Sequence, residues 1–319
     1  MVKIIITAQV KKGIAFIASF LLFILFFTNV ENVKSSIRDS FKFCVNSLIP
    51  SIFIFMVISL FFLYSSVFSG AFNILPKGFF NKIGICRKYF ATVLLCSLCG
   101  FVGGPKIICE DYKQNHVNEQ DFSNAIILSS NAGIGFLVSC VGIGIWNDAL
   151  FGIFLYLFQI LSAFVLGKFF LKHSELALAS DKRNEKSLDL SVAFTRAVTT
   201  SCSTVISICA FVVVFSCFIS VMLSFLGIRE ESTWYAIVTS VFEFCKGSFL
   251  VFNTRNFLFS AFLSGFCVGF GGICVHFQTF AVCEGLPLNK LEFVKFKAIH
   301  GVLCGFFCVL YMLMKNFLL

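Results

Sequence analysis

The chain of 319 residues is 58% hydrophobic and only 13% charged, and its mean hydropathy is +0.94. These values exclude an ordinary soluble domain, in which about a quarter of the residues are charged, and they indicate a membrane protein. The net charge of +9 comes mainly from lysines and arginines beside apolar runs, a pattern that sets membrane topology and excludes a nucleic-acid-binding patch.

Apolar runs near the roughly 20 residues that a spanning helix needs follow one another along the chain. Residues 1–30 resemble a secretory signal peptide without its small-residue cleavage site, so we expect a retained first helix with its basic end in the cytoplasm. The further predicted spans cover residues 47–67, 122–145, 149–171, 203–226 and 298–317. Regions 89–110 and 256–283 are apolar enough to enter the bilayer but are ambiguous.

Both ambiguous regions have glycines at their centres, in LCGFVGGPKI and in GFCVGFGGIC. Because glycine weakens a helix by about 1 kcal/mol and interior proline by about 3 kcal/mol, these sequences predict broken helices. The pairs Gly103–Gly104 and Gly271–Gly272 are 168 positions apart, about half the chain, and IFIFMVISLFF from Ile52 aligns with ICAFVVVFSCF from Ile208. The correspondence indicates two repeats after an extra first helix, and interrupted segments in matching places are typical of a transporter's binding site.

The distribution of positive charge favours a re-entrant hairpin at 89–110. With the amino terminus inside, the first two spans return the basic segment PKGFFNKIGICRKY to the cytoplasm. A hairpin then keeps the basic stretch from Lys172 to Arg196 on the same side, whereas a full crossing, the alternative, places that stretch outside.

The predicted fold is an all-α polytopic membrane protein of about eight to nine membrane segments, with two repeats that contain broken or re-entrant helices. Residues 1–45 are expected to form an N-terminal transmembrane helix and an interfacial linker, and residues 46–172 the first repeat. Residues 173–196 are expected to form a basic cytoplasmic loop, and residues 197–319 the second repeat.

The first half offers candidate binding residues on both sides of its break. A hairpin leaves backbone groups unpaired at membrane depth, which is tolerated where they border a ligand site. Gly103–Gly104 therefore either border such a site, where the amino termini of half-helices suit an anion, or only permit close helix packing. Lys106 is the first candidate to contact an anionic substrate, or it snorkels and pairs with Glu110. Asn131 and Gly133 place an amide and flexible backbone in the next span, where Asn131 binds substrate or only a neighbouring helix.

The second half offers a matching set of candidates. Gly271–Gly272 form its break, and His276 and Gln278 follow them. His276 either relays protons, since its ordinary pKa is near 6.5, or is a packing residue. Glu243 and Lys246 lie in an apolar stretch, where they either couple transport to a proton or cation or form a local ion pair.

No catalytic or metal-binding motif stands out. The 15 cysteines lie almost entirely in apolar runs, and the CSLC pair, Cys96 and Cys99, lacks a second CxxC, so we interpret them as packing residues. There is no GxSxG, HExxH or Walker loop, and no metal-ligand spacing involves His276. We therefore expect neither an enzyme nor a cofactor or metal.

Three motifs carry a resemblance to a known family. GFVGGPKI from Gly100, SNAGIGF from Ser130 and FGGICVHFQ from Phe270 resemble, in this order, the motifs of sporulation integral membrane proteins of the YlbJ type, in the nucleoside-recognition (Gate) domain family. The resemblance extends from about Asn46 onward. The family usually has prolines where this chain has Val102 and Ile134, which implies softer breaks here and leaves the substrate open.

The resemblance implies a multi-pass protein with duplicated Gate repeats that takes up dipicolinic acid into the developing spore. The residues alone predict a membrane transporter or facilitator of a small anion, and the resemblance adds a bacterial cell membrane, with a membrane around the forespore as one such location. The alternatives are a nucleoside or ion carrier of the Gate class and a non-transporting protein needed for spore assembly. Expected partners are the lipid bilayer and the small anion, not nucleic acid, and the oligomeric state is left open.

Overall fold

The computed structural model describes residues 13, 16–17, 19–65, 87–113, 119–171 and 188–318, and these ranges contain helices but no β-strand. Within these ranges, five helices are long and apolar enough to cross a membrane. A short apolar helix, α1 (Ser19–Thr28), precedes the first of them. The all-helical membrane fold expected from composition is thus present.

The first half consists of a long helix, a hairpin, a broken helix and a final helix. The long helix is α2 (Val30–Tyr64), which contains a π-helical turn at Cys44–Leu48. The hairpin consists of α3 (Arg87–Leu98) and α4 (Gly100–Lys113). The broken helix consists of α5 (Glu119–Ser129) and the π-helix α6 (Phe136–Ile145), and the half ends with α7 (Ala149–Phe170).

The second half repeats this order of elements. Its long helix is α8 (Leu190–Phe225), and its hairpin consists of α9 (Thr233–Phe242) and the short α10 (Phe244–Phe249). A 3₁₀ turn (Val251–Thr254) leads to the broken helix of α11 (Phe257–Phe270) and α12 (Gly272–Val282), and α13 (Lys290–Leu318) follows. Each half therefore contains one hairpin and one broken helix between two unbroken helices.

The two halves run in opposite directions. The counterparts α2 and α8 are antiparallel, because the Phe61 and Phe194 rings lie 6.1 Å apart at one end and Asn32 Nδ2 donates to Ser224 Oγ at 3.1 Å at the other. The counterparts α7 and α13 are antiparallel through contacts of Asp148 with Lys315 at 2.6 Å and of Ser162 with Cys304 at 3.4 Å. Both pairs of counterpart helices are thus antiparallel.

An ion pair fixes α7 to the end of α13. Asp148 caps α7 by accepting from the Phe151 N–H at 3.1 Å, and it also accepts from Lys315 and from the Tyr311 hydroxyl. Burial opposes ionisation of Asp148, but these hydrogen bonds outweigh it and lower the pKa of the carboxyl below its ordinary value.

The long helices extend beyond the predicted spans. The predicted boundary at residue 45 falls inside α2, and the last residues of the predicted 173–196 loop belong to α8. The predicted span at 122–145 is not one continuous helix, because residues 130–133 are unwound. Residues 1–12, 66–86 and 172–187, which carry the basic segments used to predict topology, lie outside the described residues.

Candidate functional site

The hairpin turns of both halves meet in the protein interior. In the first hairpin the chain reverses at Cys99–Gly100, where Gly100 has φ +81°, and a Cβ atom added at Gly104 would lie 2.7 Å from the Cys96 carbonyl oxygen. The second hairpin reverses at Glu243, and a Cβ added at Gly247 would lie 2.5 Å from Ser240 Cα. The two turns contact each other through Phe101 and Phe244, whose rings are 5.0 Å apart.

The broken helices reach the same place. Gly133, in the first break, packs against Gly100, and Phe136 after that break packs edge-on against Phe244 at 5.3 Å. In the second break Gly271 has φ +82°, and an added Cβ there would lie 2.9 Å from the Phe101 ring. All four discontinuities therefore converge.

A cavity of about 50 Å³ lies where they converge. The residues that line it come from both hairpin turns, both broken helices and the centres of α2 and α8, and the polar side chains among them are Glu243 and Gln278. This volume accommodates one or two water molecules, whereas pockets for metabolites measure roughly 300–1,000 Å³. Binding a metabolite therefore requires the hairpin turns to move apart.

Side chains satisfy the backbone groups that the first break leaves unpaired. Gln159, on α7, accepts from the Ala132 N–H at 2.9 Å and donates to the Ala132 carbonyl at 3.1 Å. Asn131 donates to the Leu128 carbonyl at 2.6 Å and to Ser97 Oγ at 3.2 Å. Because unpaired backbone groups at membrane depth cost several kcal/mol each, these contacts make the unwound segment possible.

A buried lysine donates hydrogen bonds to the first break. Lys297, on α13, is 1% exposed, and its amine donates to the Ser130 carbonyl and, at 3.4 Å, to Asn131 Oδ1. The amine also lies 5.9 Å from the centre of the Phe101 ring. Lys297 thus places an amine directly behind one wall of the cavity.

His300, one turn after Lys297, lies beside the same network. Its Nε2 contacts the Gln159 carbonyl at 2.9 Å and Ser162 Oγ at 3.0 Å, while its buried Nδ1 has no hydrogen-bond partner in the described part of the chain. His300 therefore connects α13 to α7 beside the first break.

A histidine from the second half stabilises the second break by a hydrogen bond. His276 Nε2 donates to the Phe270 carbonyl at 3.0 Å, and its ring packs against Phe270 and Phe293. Gln278 donates to Cys274 Sγ at 3.4 Å and lines the cavity. His276 therefore stabilises the break, and Gln278 faces the site.

Glu243 is fully buried and also lines the cavity. Its carboxylate accepts from the backbone N–H groups of Cys245 at 3.0 Å and Lys246 at 2.6 Å, which caps α10. No side-chain ion pair joins Glu243 to Lys246 in the described residues, so the predicted alternative of a local ion pair is wrong. Lys246 takes part through its backbone, and its side chain is not among those lining the cavity.

Three predicted residues lie away from the cavity. Gly103 and Gly104 are inside α4, where they permit close packing against α3. Lys106 is partly exposed and donates to Ser203 Oγ on α8 at 3.5 Å. Glu110 pairs with Arg196 at 2.9 Å, so the alternative in which Lys106 pairs with Glu110 is also wrong.

Gln159, Lys297 and His300 were not among the predicted site residues. Gln159 is the one strongly polar residue in the apolar run LFGIFLYLFQILSAFVLG, and an intramembrane polar residue is a functional candidate. Lys297 and His300 are three residues apart, on one face of α13, but the predicted span began at residue 298 and left the lysine outside the membrane.

Fold and site together define a helical membrane protein with a buried polar centre. No three His, Cys, Asp or Glu side chains in the described ranges lie close enough to hold a metal ion. No protein-family model matches this chain, and neither a curated protein nor a solved structure does.

Proposed function

We propose that this protein is a membrane carrier of a small anionic metabolite. The observation that carries the proposal is the convergence of two hairpin turns and two broken helices, from oppositely directed halves, on one buried cavity. Inverted halves with discontinuous helices that meet near the middle of the bilayer are a recurring design of secondary transporters.

Three positive features near the cavity favour an anion. Helix α4 begins at Gly100, at the first hairpin turn, and α12 begins at Gly272, at the second break. Their positive dipole ends therefore lie at these two interruptions of the chain. The Lys297 amine adds a fixed cationic group behind Phe101. The resemblance to sporulation proteins makes dipicolinate, a small aromatic dianion, the first anion to test.

Glu243 is the proposed coupling residue. It is the one ionisable carboxylate among the residues that line the cavity, and a buried carboxyl binds a proton more readily than an exposed one. A protonated Glu243 removes a negative charge that would oppose entry of the anion. Proton binding and anion binding would then favour each other.

The test uses purified protein in liposomes and labelled dipicolinate, with the outside made acidic by one pH unit. With the membrane potential held at zero, since a dianion carried with one proton still moves one negative charge, coupling to one proton predicts accumulation of roughly tenfold. Glu243→Gln should abolish accumulation but retain exchange of labelled for unlabelled anion, because the amide still accepts an N–H bond. Glu284→Gln, at an exposed carboxylate, is the matched control and should behave as the wild type.

Two results would redirect the proposal. Uptake that is inhibited by nucleosides but not by carboxylate anions would favour a nucleoside carrier. Absence of flux for every anion, nucleoside and ion tested would favour a non-transporting role in spore assembly.

A further inference from the structure

The environment of the Lys297 amine is unusual for a buried lysine. No carboxylate pairs with it in the ranges that the structure describes, although the residue is 1% exposed. The amine instead faces the Ser130 carbonyl, Asn131 Oδ1 and the face of the Phe101 ring. A buried charge normally requires an opposite charge or several strong acceptors, and these oxygens are the acceptors that the amine contacts.

The same oxygens have the chemistry of a monovalent-cation site. The Ser130 carbonyl directly follows the end of α5, where unpaired carbonyls and the helix dipole concentrate negative partial charge. Unwound carbonyls of this kind bind Na⁺ in transporters, and rings of carbonyls replace the hydration shell of K⁺ in channels.

A further buried oxygen lies on the same residue. The Ser130 hydroxyl is fully buried and has no hydrogen-bond partner in the described part of the chain. This hydroxyl does not bond the Lys297 amine, so the oxygens that hold the amine are the Ser130 carbonyl and Asn131 Oδ1.

We propose that these oxygens form a monovalent-cation site that the protein fills with its own Lys297 ammonium group. The lysine comes from α13, the last helix of the second half, whereas the oxygens belong to the break of the first half. The ammonium group therefore acts as a tethered ion that joins the two halves.

Two other carbonyls at the breaks are satisfied without a cation. Gln159 bonds the Ala132 carbonyl through its amide, and His276 bonds the Phe270 carbonyl through a ring nitrogen. An amide or imidazole is thus sufficient to stabilise an unwound segment in this fold. The ammonium at Ser130 indicates a site whose oxygens specifically favour positive charge.

The site predicts that removing the lysine creates a requirement for a free ion. Lys297→Ala leaves the oxygens in place with space beside them, so a free K⁺, Na⁺ or NH₄⁺ should replace the ammonium group. Lys297→Met fills most of that space with an uncharged chain of similar length and serves as the control. The wild type should show no preference among cations.

Thermal unfolding of the purified proteins in detergent tests this prediction. At equal ionic strength, replacing N-methylglucamine by K⁺, Na⁺ or NH₄⁺ should raise the Tm of Lys297→Ala by roughly 2–4 °C or more. The Tm values of the wild type and of Lys297→Met should not change. An alanine variant that shows no cation dependence, or that folds in none of these cations while Lys297→Met folds, would overturn the proposal.

A flux measurement adds a second readout, which rests on the proposed carrier function. Wild-type flux should be the same in Na⁺, K⁺ and N-methylglucamine, and flux by Lys297→Ala should depend on the small cation. Cation-dependent Tm without any flux would reject the carrier and retain the cation site. Flux by Lys297→Ala without cation dependence in either assay would reject the cation site and retain the carrier.

Discussion

At the scale of single residues, Gln159 shows how this fold accommodates an unwound segment at membrane depth. One side chain bonds both backbone groups of Ala132, so the break needs no water there. Gln159 is itself fully buried, and its amide has no exposed alternative. The unwound segment is consequently stabilised by specific hydrogen bonds and is not merely a weak part of a helix.

Gln159→Leu should therefore be strongly destabilising. The variant leaves a buried N–H and a buried carbonyl unpaired, at about 1–3 kcal/mol each, so the free energy of unfolding should fall by roughly 2–6 kcal/mol. Denaturant unfolding in detergent measures this change.

Gln120→Leu is the matched control, since Gln120 is only partly buried and bonds the neighbouring Asn124 at 3.2 Å. Its free energy of unfolding should change by less than about 0.5 kcal/mol. Equal effects of the two substitutions would show that the Ala132 contacts contribute nothing specific.

The sequence predicted several residues of this centre but not their partners. Asn131, Glu243 and Gln278 were recognisable because each interrupts an apolar run. Lys297 was placed outside the membrane because it precedes the last apolar run, and only the packing of α13 beside the first break brings it inside. Partners from distant helices leave no periodic pattern in the sequence.

At the scale of elements, the sequence predicted that regions 89–110 and 256–283 are broken, and both contain breaks. In region 89–110 the helix is interrupted at Cys99–Gly100, the first hairpin turn, rather than at Gly103–Gly104, because Gly100 takes a positive φ whereas Gly103 and Gly104 continue α4. By element order, the counterpart of the break at Gly271 is the unwound segment 130–133, so the two Gly-Gly pairs are not counterparts. Local composition thus predicted the existence of breaks better than their positions.

The contact between the first hairpin and the second broken helix should control opening of the cavity. Cys109 on α4 and Cys283, which directly follows the end of α12, have sulfur atoms 3.5 Å apart, in contact with each other and near enough to form a disulfide bond of about 2.05 Å after a small movement. Oxidation with copper phenanthroline should join α4 to α12 and reduce flux at least roughly tenfold, because the cavity must enlarge to accept a metabolite. A reducing agent should restore flux.

Cys109→Ser is the control for this experiment, since it removes the cross-link and should leave flux insensitive to the oxidant. Mass spectrometry should confirm the Cys109–Cys283 bond in the oxidised wild type. Full flux by protein in which that bond has formed would show that α4 and α12 need not separate.

At the scale of the whole molecule, two oppositely directed halves enclose a centre that neither half forms alone. Glu243 and Gln278 come from the second half, whereas Gly100 and Gly133 come from the first. Composition predicted the helical membrane fold, whereas two repeats stay a prediction, because the Gly-Gly pairs that suggested them are not counterparts. The antiparallel pairing of α2 with α8 and of α7 with α13 could not be read from apolar runs, which align equally well in either direction.

The central claim is that the cavity opens and binds an anion, and the native cysteines allow a direct measurement. Cys99, Cys245 and Cys274 line the cavity, whereas Cys267 and Cys308 are buried but are not among its lining residues. Wild-type protein in liposomes is treated with a membrane-impermeant thiol reagent, and mass spectrometry measures labelling of each cysteine. We predict faster labelling of the cavity cysteines than of Cys267 and Cys308, and slower labelling when dipicolinate is added. Cavity cysteines that react no faster than Cys267 and Cys308, with or without dipicolinate, would contradict the account.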